Sequence, residues 1–162
     1  MRNKVTSPWS RQLFLGIILA ISGWASLVYS RHLDLLLPHS ILSRVAGISF
    51  LILGLIIRIL AFKQVPCTLR TKKLVTSGVY SRTRNPVYLA YMLIIIAVVF
   101  LTMRLLSFAW VLFSILVFYW VAKKEENDLE RTFGEEYLAY KQKVPLFLPK
   151  FRAYSCDYMR KV

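Results

Sequence analysis

The stretch "VYLAYMLIIIAVVFLTMRLLSFAWVLFSILVFYWVA" (residues 87–122) consists of two apolar runs separated by one polar turn. As one continuous helix, its roughly 36 residues would extend about 54 Å, well beyond the ~30 Å hydrocarbon layer of a bilayer. The segment "TMRLLS" places Arg104 where a tight turn at the far membrane surface is expected. The stretch therefore predicts two membrane spans, 87–103 and 105–122, that form a helical hairpin.

The rest of the chain is also typical of a membrane protein. The 162 residues are 57% hydrophobic, and the mean hydropathy of +0.52 is too high for an ordinary soluble domain. Two further apolar runs, 13–29 and 41–62, are each long enough to cross a bilayer. We expect an all-α polytopic membrane protein with four transmembrane helices in a single membrane domain.

Glycines seven residues apart occur in each of the first two runs. Gly16 and Gly23 share one helix face, and so do Gly47 and Gly54. Small residues let transmembrane helices approach closely. The pattern predicts that the first and second spans pack against each other.

The charge of the chain indicates its partner and its orientation. A net charge of +14 is compatible with nucleic-acid binding, but the apolar runs favour the lipid bilayer as the partner. Most Lys and Arg residues lie in the N-terminal segment, in the loop 63–86 and after residue 122, which predicts that both termini and this loop face the cytoplasm. Arg58 lies inside the second span, close enough to its end to extend toward the surface. Cys67 and Cys156 occur without a CxxC or His/Cys cluster, so no metal site is expected.

Two polar segments flank the predicted hairpin. They are Ser77–Met92, "SGVYSRTRNPVYLAYM", and residues 123–149, "KKEENDLERTFGEEYLAYKQKVPLFLP". Since the two open ends of a hairpin emerge side by side, Asn85 and Glu125 should lie within about one helix diameter, ~10 Å. The second segment has apolar residues at helical spacing and predicts an amphipathic helix that begins near Glu125 and covers the mouth of the bundle, followed by a tail to residue 162.

Each of these polar residues also has a purely structural interpretation. Asn85 followed by Pro86 is typical of a helix N-terminus. Tyr80 and Tyr88 are suited to the aromatic belt at a membrane surface. Glu125 and Glu126 are compatible with ordinary pairing to lysines on a helix.

Taken together, the two segments resemble a known family. "KLVTSGVYSRTRNPVYLA" (73–90) resembles the Leu-Val-Thr-x-Gly-x-Tyr and Arg-His-Pro-x-Tyr pattern of integral membrane methyltransferases, which include isoprenylcysteine carboxyl methyltransferases and phospholipid methyltransferases. "EENDLERTFGEEYLAYKQKVPLFLP" (125–149) resembles their Glu-Glu-x-x-Leu-x-x-x-Phe-Gly-x-x-Tyr-x-x-Tyr pattern and the Val-Pro segment after it. The resemblance covers about half of the chain.

The resemblance implies a cytoplasmic site for S-adenosylmethionine and methyl transfer to a lipophilic acceptor in the membrane. The resemblance implies that Arg84 and Glu126 are the catalytic residues. The implied cofactor-binding residues are Lys72, Lys73, Leu74, Val75, Tyr80, Asn85 and Glu125.

The chemistry of S-adenosylmethionine suits these residue types. Its methionine part carries a carboxylate, an ammonium and a sulfonium, for which Arg84 or Lys72, Glu125 and the ring of Tyr80 are suitable partners. A carboxylate acceptor would need no general base. An amine acceptor must lose a proton, which Glu126 is placed to receive.

The sequence departs from the family pattern at three positions. Asn85 and Lys72 replace histidines, and Val121 occupies a position at which many members carry an arginine near the acceptor. The absence of that arginine favours a phospholipid amine or another lipophilic acceptor over a prenylcysteine carboxylate. Two other functions remain open at this point: an NADPH-dependent sterol-type membrane reductase, and a non-catalytic membrane scaffold with the same fold.

Overall fold

The computed structural model describes residues 40–71 and 74–149, together with residue 38 and parts of 16–29 (16–18, 21, 23–25 and 28–29). Four α-helices are complete in it: α1 (Ile41–Thr71), α2 (Pro86–Thr102), α3 (Leu105–Phe133) and α4 (Glu135–Lys143). A short 3-10 helix, Gly78–Ser81, lies between α1 and α2. The described parts of 16–29 are helical, and no β-strand occurs in any described residue. The prediction of an all-α fold is therefore confirmed for this part of the chain.

Two of these helices are long and apolar enough to cross a membrane. They are the Ile41–Gln64 part of α1 and the whole of α3. Helix α2 is apolar but shorter, and the predicted first span, 13–29, is described only in part. The count of four transmembrane helices thus stays a prediction.

Helices α2 and α3 are joined by the two residues Met103 and Arg104. Met103 takes a left-handed conformation (φ 46°), and its N–H donates to the carbonyl of Val99, which ends α2. The two helices run antiparallel, because Tyr88 near the start of α2 packs against Phe118 at the middle of α3 and binds Glu125 in its second half. The buried residues at this contact are Tyr88, Met92, Ile95, Phe118 and Ala122.

Glycines bring the other helices onto this pair, although not as the sequence predicted. A Cβ added at Gly54 would lie 2.9 Å from Cγ1 of Ile94 and 3.0 Å from the carbonyl oxygen of Ala90, so this face of α1 packs tightly on α2. The prediction that the glycines join the first and second spans is wrong, because Gly16 lies against Tyr91 and Gly47 against Leu101. Seven-residue spacing defines a helix face but does not choose its neighbour.

Two helices extend beyond their predicted apolar spans. Helix α1 continues past residue 62 to Thr71, which shortens the loop before α2, and α3 continues past residue 122 to Phe133. Glu125 and Glu126 therefore lie within α3 and do not begin a separate helix. The Lys- and Glu-rich sequence that follows the apolar part of α3 contains good helix formers and no breaker before Gly134. Gly134 has φ 52°, and the predicted amphipathic helix is divided there into the end of α3 and the short α4.

Candidate functional site

The loop before α2 is fixed to the end of α1. Gly78 has φ 61°, and a Cβ at this position would collide with the Gln64 side chain, so a glycine is required here. The backbone N–H of Val79 donates to Oε1 of Gln64 at 3.3 Å. These contacts hold Tyr80, in the 3-10 helix, above the cytoplasmic end predicted for α1.

The segment that follows α4 pairs with the same loop. The backbone N–H of Arg84 donates to the carbonyl of Pro145 at 3.0 Å, and that of Asn85 donates to the carbonyl of Leu146 at 3.2 Å. The hydroxyl of Thr83 also donates to the Leu146 carbonyl, at 3.0 Å. Residues separated by about sixty positions are thereby held side by side, and the chain after α4 covers the start of α2.

Glu125 is the acidic centre of one half of the site. It is only 7% exposed, and its Oε1 accepts a hydrogen bond of 2.8 Å from the hydroxyl of Tyr88. Burial raises the pKa of Tyr80 to about 12, with a lowering effect from Arg58 and a further raising effect from the negative charge of Glu125. The Tyr80 hydroxyl is therefore a neutral hydrogen-bond donor at physiological pH, close to both charges.

Glu126 is the acidic centre of the other half. It is 1% exposed, and three cations surround it: Nη1 of Arg84 at 2.5 Å, Nζ of Lys123 at 3.2 Å and Nζ of Lys141 at 4.0 Å. Lys141 also pairs with Glu130. Arg84 and Glu126 form a buried ion pair.

Tyr137 of α4 closes this second half. Burial is the main cause that raises the pKa of its hydroxyl; Glu126 adds to the effect, while the charge of Arg84 and a hydrogen bond with Arg84 oppose it. Tyr137 packs with Tyr140 and Val144 in a small cluster that also includes Leu74. The hydroxyl of Tyr140 donates to the backbone carbonyl of Tyr80 at 2.6 Å, which links α4 to the 3-10 helix.

The described candidates therefore fall into distinct positions. The charge of Glu125 acts on the Tyr80 phenol, while Arg84 and Glu126 form an ion pair. Leu74 packs under α4, and Val75 is half-buried in the loop. Asn85 precedes α2 as expected, but its side chain makes no capping hydrogen bond. Lys72 and Lys73 lie outside the described residues.

Two residues at the site were not assigned to it from the sequence. Tyr88, taken as a candidate for the aromatic belt, is fully buried and binds Glu125. Arg58 of α1 lies over the rings of Tyr91 (5.7 Å) and Phe62 (5.8 Å) and acts on Tyr80. The signal for Arg58 was present, since an arginine inside an apolar span is costly and typically marks a functional position.

No metal centre is apparent in the part of the chain that the structure describes. No three His, Cys, Asp or Glu side chains come together there in an arrangement able to hold an ion. The acidic residues of the site are instead matched by tyrosine hydroxyls and by basic side chains.

Comparison with known proteins agrees with this arrangement. The fold is similar to the solved structure of the eukaryotic intramembrane Ras methyltransferase ICMT (isoprenylcysteine carboxyl methyltransferase), with a TM-score of 0.66 and 25% sequence identity. The superposition covers 93% of this chain and 55% of that one, so the chain spans about half the length of that structure. A comparison with curated protein sequences gave no significant match. Residues 42–136, a stretch that contains all the described candidate residues, match phospholipid methyltransferases. The chain belongs to the phospholipid methyltransferase family.

Proposed function

We propose that this protein transfers a methyl group from S-adenosylmethionine to the amine of a membrane phospholipid. The observation that carries the proposal is the group formed by the buried Glu125 and Tyr88 and the half-buried Tyr80, within the stretch that matches phospholipid methyltransferases. The cytoplasmic orientation predicted from the positive charges belongs to the same proposal. It would place this group on the side of the membrane where the cofactor is made.

The described residues fit the methionine part of the cofactor. Glu125 is a buried acid suited to the ammonium group. Arg84 offers a cation for the carboxylate: its Nε is buried and has no hydrogen-bond partner among the described residues, although Nη1 is paired with Glu126. A buried donor without a partner is costly, and a bound carboxylate would satisfy it.

The remaining candidates complete the binding site in this proposal. The half-buried Tyr80 offers a ring face and a neutral hydroxyl, which suits a sulfonium or an adenine ring, while the fully buried Tyr88 positions Glu125 through its hydrogen bond. Leu74, Val75 and Asn85 would line the cofactor from the loop, together with Lys72 and Lys73. The chain after α4 covers the loop and would keep water away from the reacting atoms.

The cofactor, when bound, supplies an electrophilic methyl group, so the protein chiefly has to align it with the acceptor nitrogen. Three cations surround Glu126, and we assign the Arg84–Glu126 pair to orientation of the cofactor carboxylate. The proton that an amine acceptor must release would then pass to water at the membrane surface, in place of the direct transfer to Glu126 expected from the sequence.

Ligand-dependent thermal stability tests the cofactor. S-adenosylhomocysteine should raise the melting temperature of the purified protein, and NADPH should not. Stabilisation by NADPH alone would favour the reductase alternative, and no effect of either would favour the scaffold. Glu125→Gln should abolish most of the S-adenosylhomocysteine effect, whereas Glu136→Gln, at an exposed position on α4, serves as the matched control.

Transfer of a labelled methyl group tests the acceptor. Phosphatidylethanolamine should be labelled in the presence of the protein and S-adenosylmethionine. A prenylcysteine should be a poor acceptor. Val121 packs an apolar side chain against the buried contact between α2 and α3, at a position where related enzymes carry a cation near the acceptor. Preferential labelling of the prenylcysteine would overturn the proposed acceptor but leave the methyl transfer in place.

A further inference from the structure

Arg58 is a cation in an apolar helix, and no acidic side chain among the described residues pairs with it. It lies in the Ile41–Gln64 part of α1 and is half-buried. Its guanidinium carbon is 5.7 Å from the ring centre of Tyr91 and 5.8 Å from that of Phe62. Within the described residues it forms no salt bridge and no hydrogen bond.

The two aromatic contacts leave the hydrogen-bonding capacity of Arg58 unused. A ring face attracts the charge of a guanidinium but does not satisfy its five N–H donors. An arginine inside a membrane span is costly unless an anion or water compensates it. Arg58 therefore keeps N–H donors that an anion could accept, beside two aromatic rings.

The depth of Arg58 suits a lipid headgroup. From Arg58 to Gln64, at the end of the apolar part of α1, the helix rises about 9 Å. An arginine at this depth can extend its side chain to the plane of the lipid phosphates. Arg58 shares its helix face with the buried Gly54 and Ala61 and with the exposed Leu55, so it lies at the edge of the contact between α1 and α2, where that contact meets the side that would face lipid.

The charges around Tyr80 suit a zwitterion. Arg58 and Glu125 both act on the Tyr80 hydroxyl, so a cation and an acid lie near the same phenol group. In phosphatidylethanolamine, two carbons and one ester oxygen separate the amine nitrogen from phosphorus. A headgroup with these two charges suits a site in which Arg58 faces the phosphate and the Tyr80 phenol lies on the side of the amine.

We infer that Arg58, with Tyr91 and Phe62, binds the phosphate of the phospholipid acceptor and so orients its amine toward the methyl-transfer site. This inference rests on the proposed function for the identity of the acceptor. An arginine guanidinium can bind a phosphate through two parallel N–H···O hydrogen bonds, and this interaction is strong where water is scarce. Arg58 is a substrate-binding residue in this assignment, separate from Arg84, which serves the cofactor.

Lipid affinity measured without turnover tests the inference. Native mass spectrometry of the detergent-solubilised protein would give dissociation constants for short-chain phosphatidylethanolamine and for a lipid amine of equal chain length that lacks phosphate. Arg58→Gln should weaken phosphatidylethanolamine binding by about ten- to a hundred-fold and leave the phosphate-free amine unchanged. Arg58→Lys should cause a smaller loss, because lysine keeps the positive charge but lacks the planar guanidinium that forms two parallel hydrogen bonds. Arg44→Gln, at an exposed position on the same helix, is the matched control.

The other outcomes are distinguishable. An equal loss for both lipids, or no loss for either, would overturn the inference, since Arg58 would then have only a structural or a general surface role. A loss of S-adenosylhomocysteine affinity in Arg58→Gln would also overturn it, by assigning Arg58 to the cofactor. If the wild-type protein binds no S-adenosylhomocysteine but phosphatidylethanolamine binding still depends on Arg58, the phosphate site stands and the proposed methyl transfer fails.

Discussion

The hydroxyl of Tyr88 donates a 2.8 Å hydrogen bond to the carboxylate of Glu125 inside the protein. This bond joins the first turn of α2 to the part of α3 that continues beyond the apolar span. Tyr88 also packs against Phe118, so the position of Glu125 is fixed by the core of the helix pair. Glu125, which we assign to the cofactor ammonium, is thus positioned by Tyr88, a residue that also packs in the core between α2 and α3.

Tyr88→Phe should therefore affect both stability and ligand binding. A hydrogen bond to a carboxylate contributes about 1.5–3 kcal/mol, and the free energy of unfolding in mixed micelles should fall by this amount. Affinity for S-adenosylhomocysteine should fall as well, because Glu125 loses a contact that orients it. Tyr119→Phe, on the exposed side of α3, should change neither quantity. Equal effects of the two substitutions would contradict the assigned role.

The Arg84–Glu126 pair predicts strong coupling between two substitutions. Removal of one partner from a buried ion pair costs about 3–5 kcal/mol, because the other charge remains buried. Arg84→Gln and Glu126→Gln should each destabilise the protein strongly, and the double variant should be less destabilised than the sum. A double-mutant cycle on the free energy of unfolding measures this coupling. Glu136→Gln, at an exposed position on α4, is the control and should change the free energy of unfolding by about 0–0.5 kcal/mol.

The buried phenol of Tyr80 predicts a loss of stability at high pH. Its pKa is raised from 10.0 to about 12 in the folded protein, so the folded state favours the neutral phenol more than the unfolded state does. This contribution is complete below pH 10 and is lost as the pH rises through the folded pKa near 12. In unfolding curves recorded between about pH 8 and pH 12, Tyr80→Phe should show a smaller alkaline loss than wild type. An identical alkaline loss in both proteins would contradict the assignment.

The contact of α1 with α2 predicts that Gly54 does not tolerate a side chain. An added Cβ would lie 2.9 Å from Ile94 and 3.0 Å from a backbone oxygen that cannot move aside easily. Gly54→Ala should therefore destabilise the protein by about 1–3 kcal/mol, as overpacking does elsewhere. Ser49→Ala, at an exposed position on the same helix, should have little effect. A melting temperature for Gly54→Ala at or above that of wild type would contradict the close contact between α1 and α2 at this position.

Hydropathy and two local motifs were sufficient to predict the fold class, the connection between α2 and α3, and the family of this protein. The apolar runs predicted an all-α membrane fold, and the placement of Arg104 predicted the connection between α2 and α3. The motifs around Tyr80 and Glu125 identified the family, which the match over 42–136 confirms. These features are local along the chain, because burial in lipid requires continuous apolar length and because a tight turn requires its own residues.

Only the tertiary structure decided how the polar residues combine. The sequence did not show that Arg84 pairs with Glu126, that Tyr88 binds Glu125, or that α1 brings Arg58 to Tyr91. It also did not show that Gly54 faces α2. Each of these contacts depends on the rotation of one helix about its axis against another, and that rotation is set by side-chain packing between segments far apart in the chain. Periodicity within a single helix defines which residues share a face, but the packing of the whole bundle decides what that face meets.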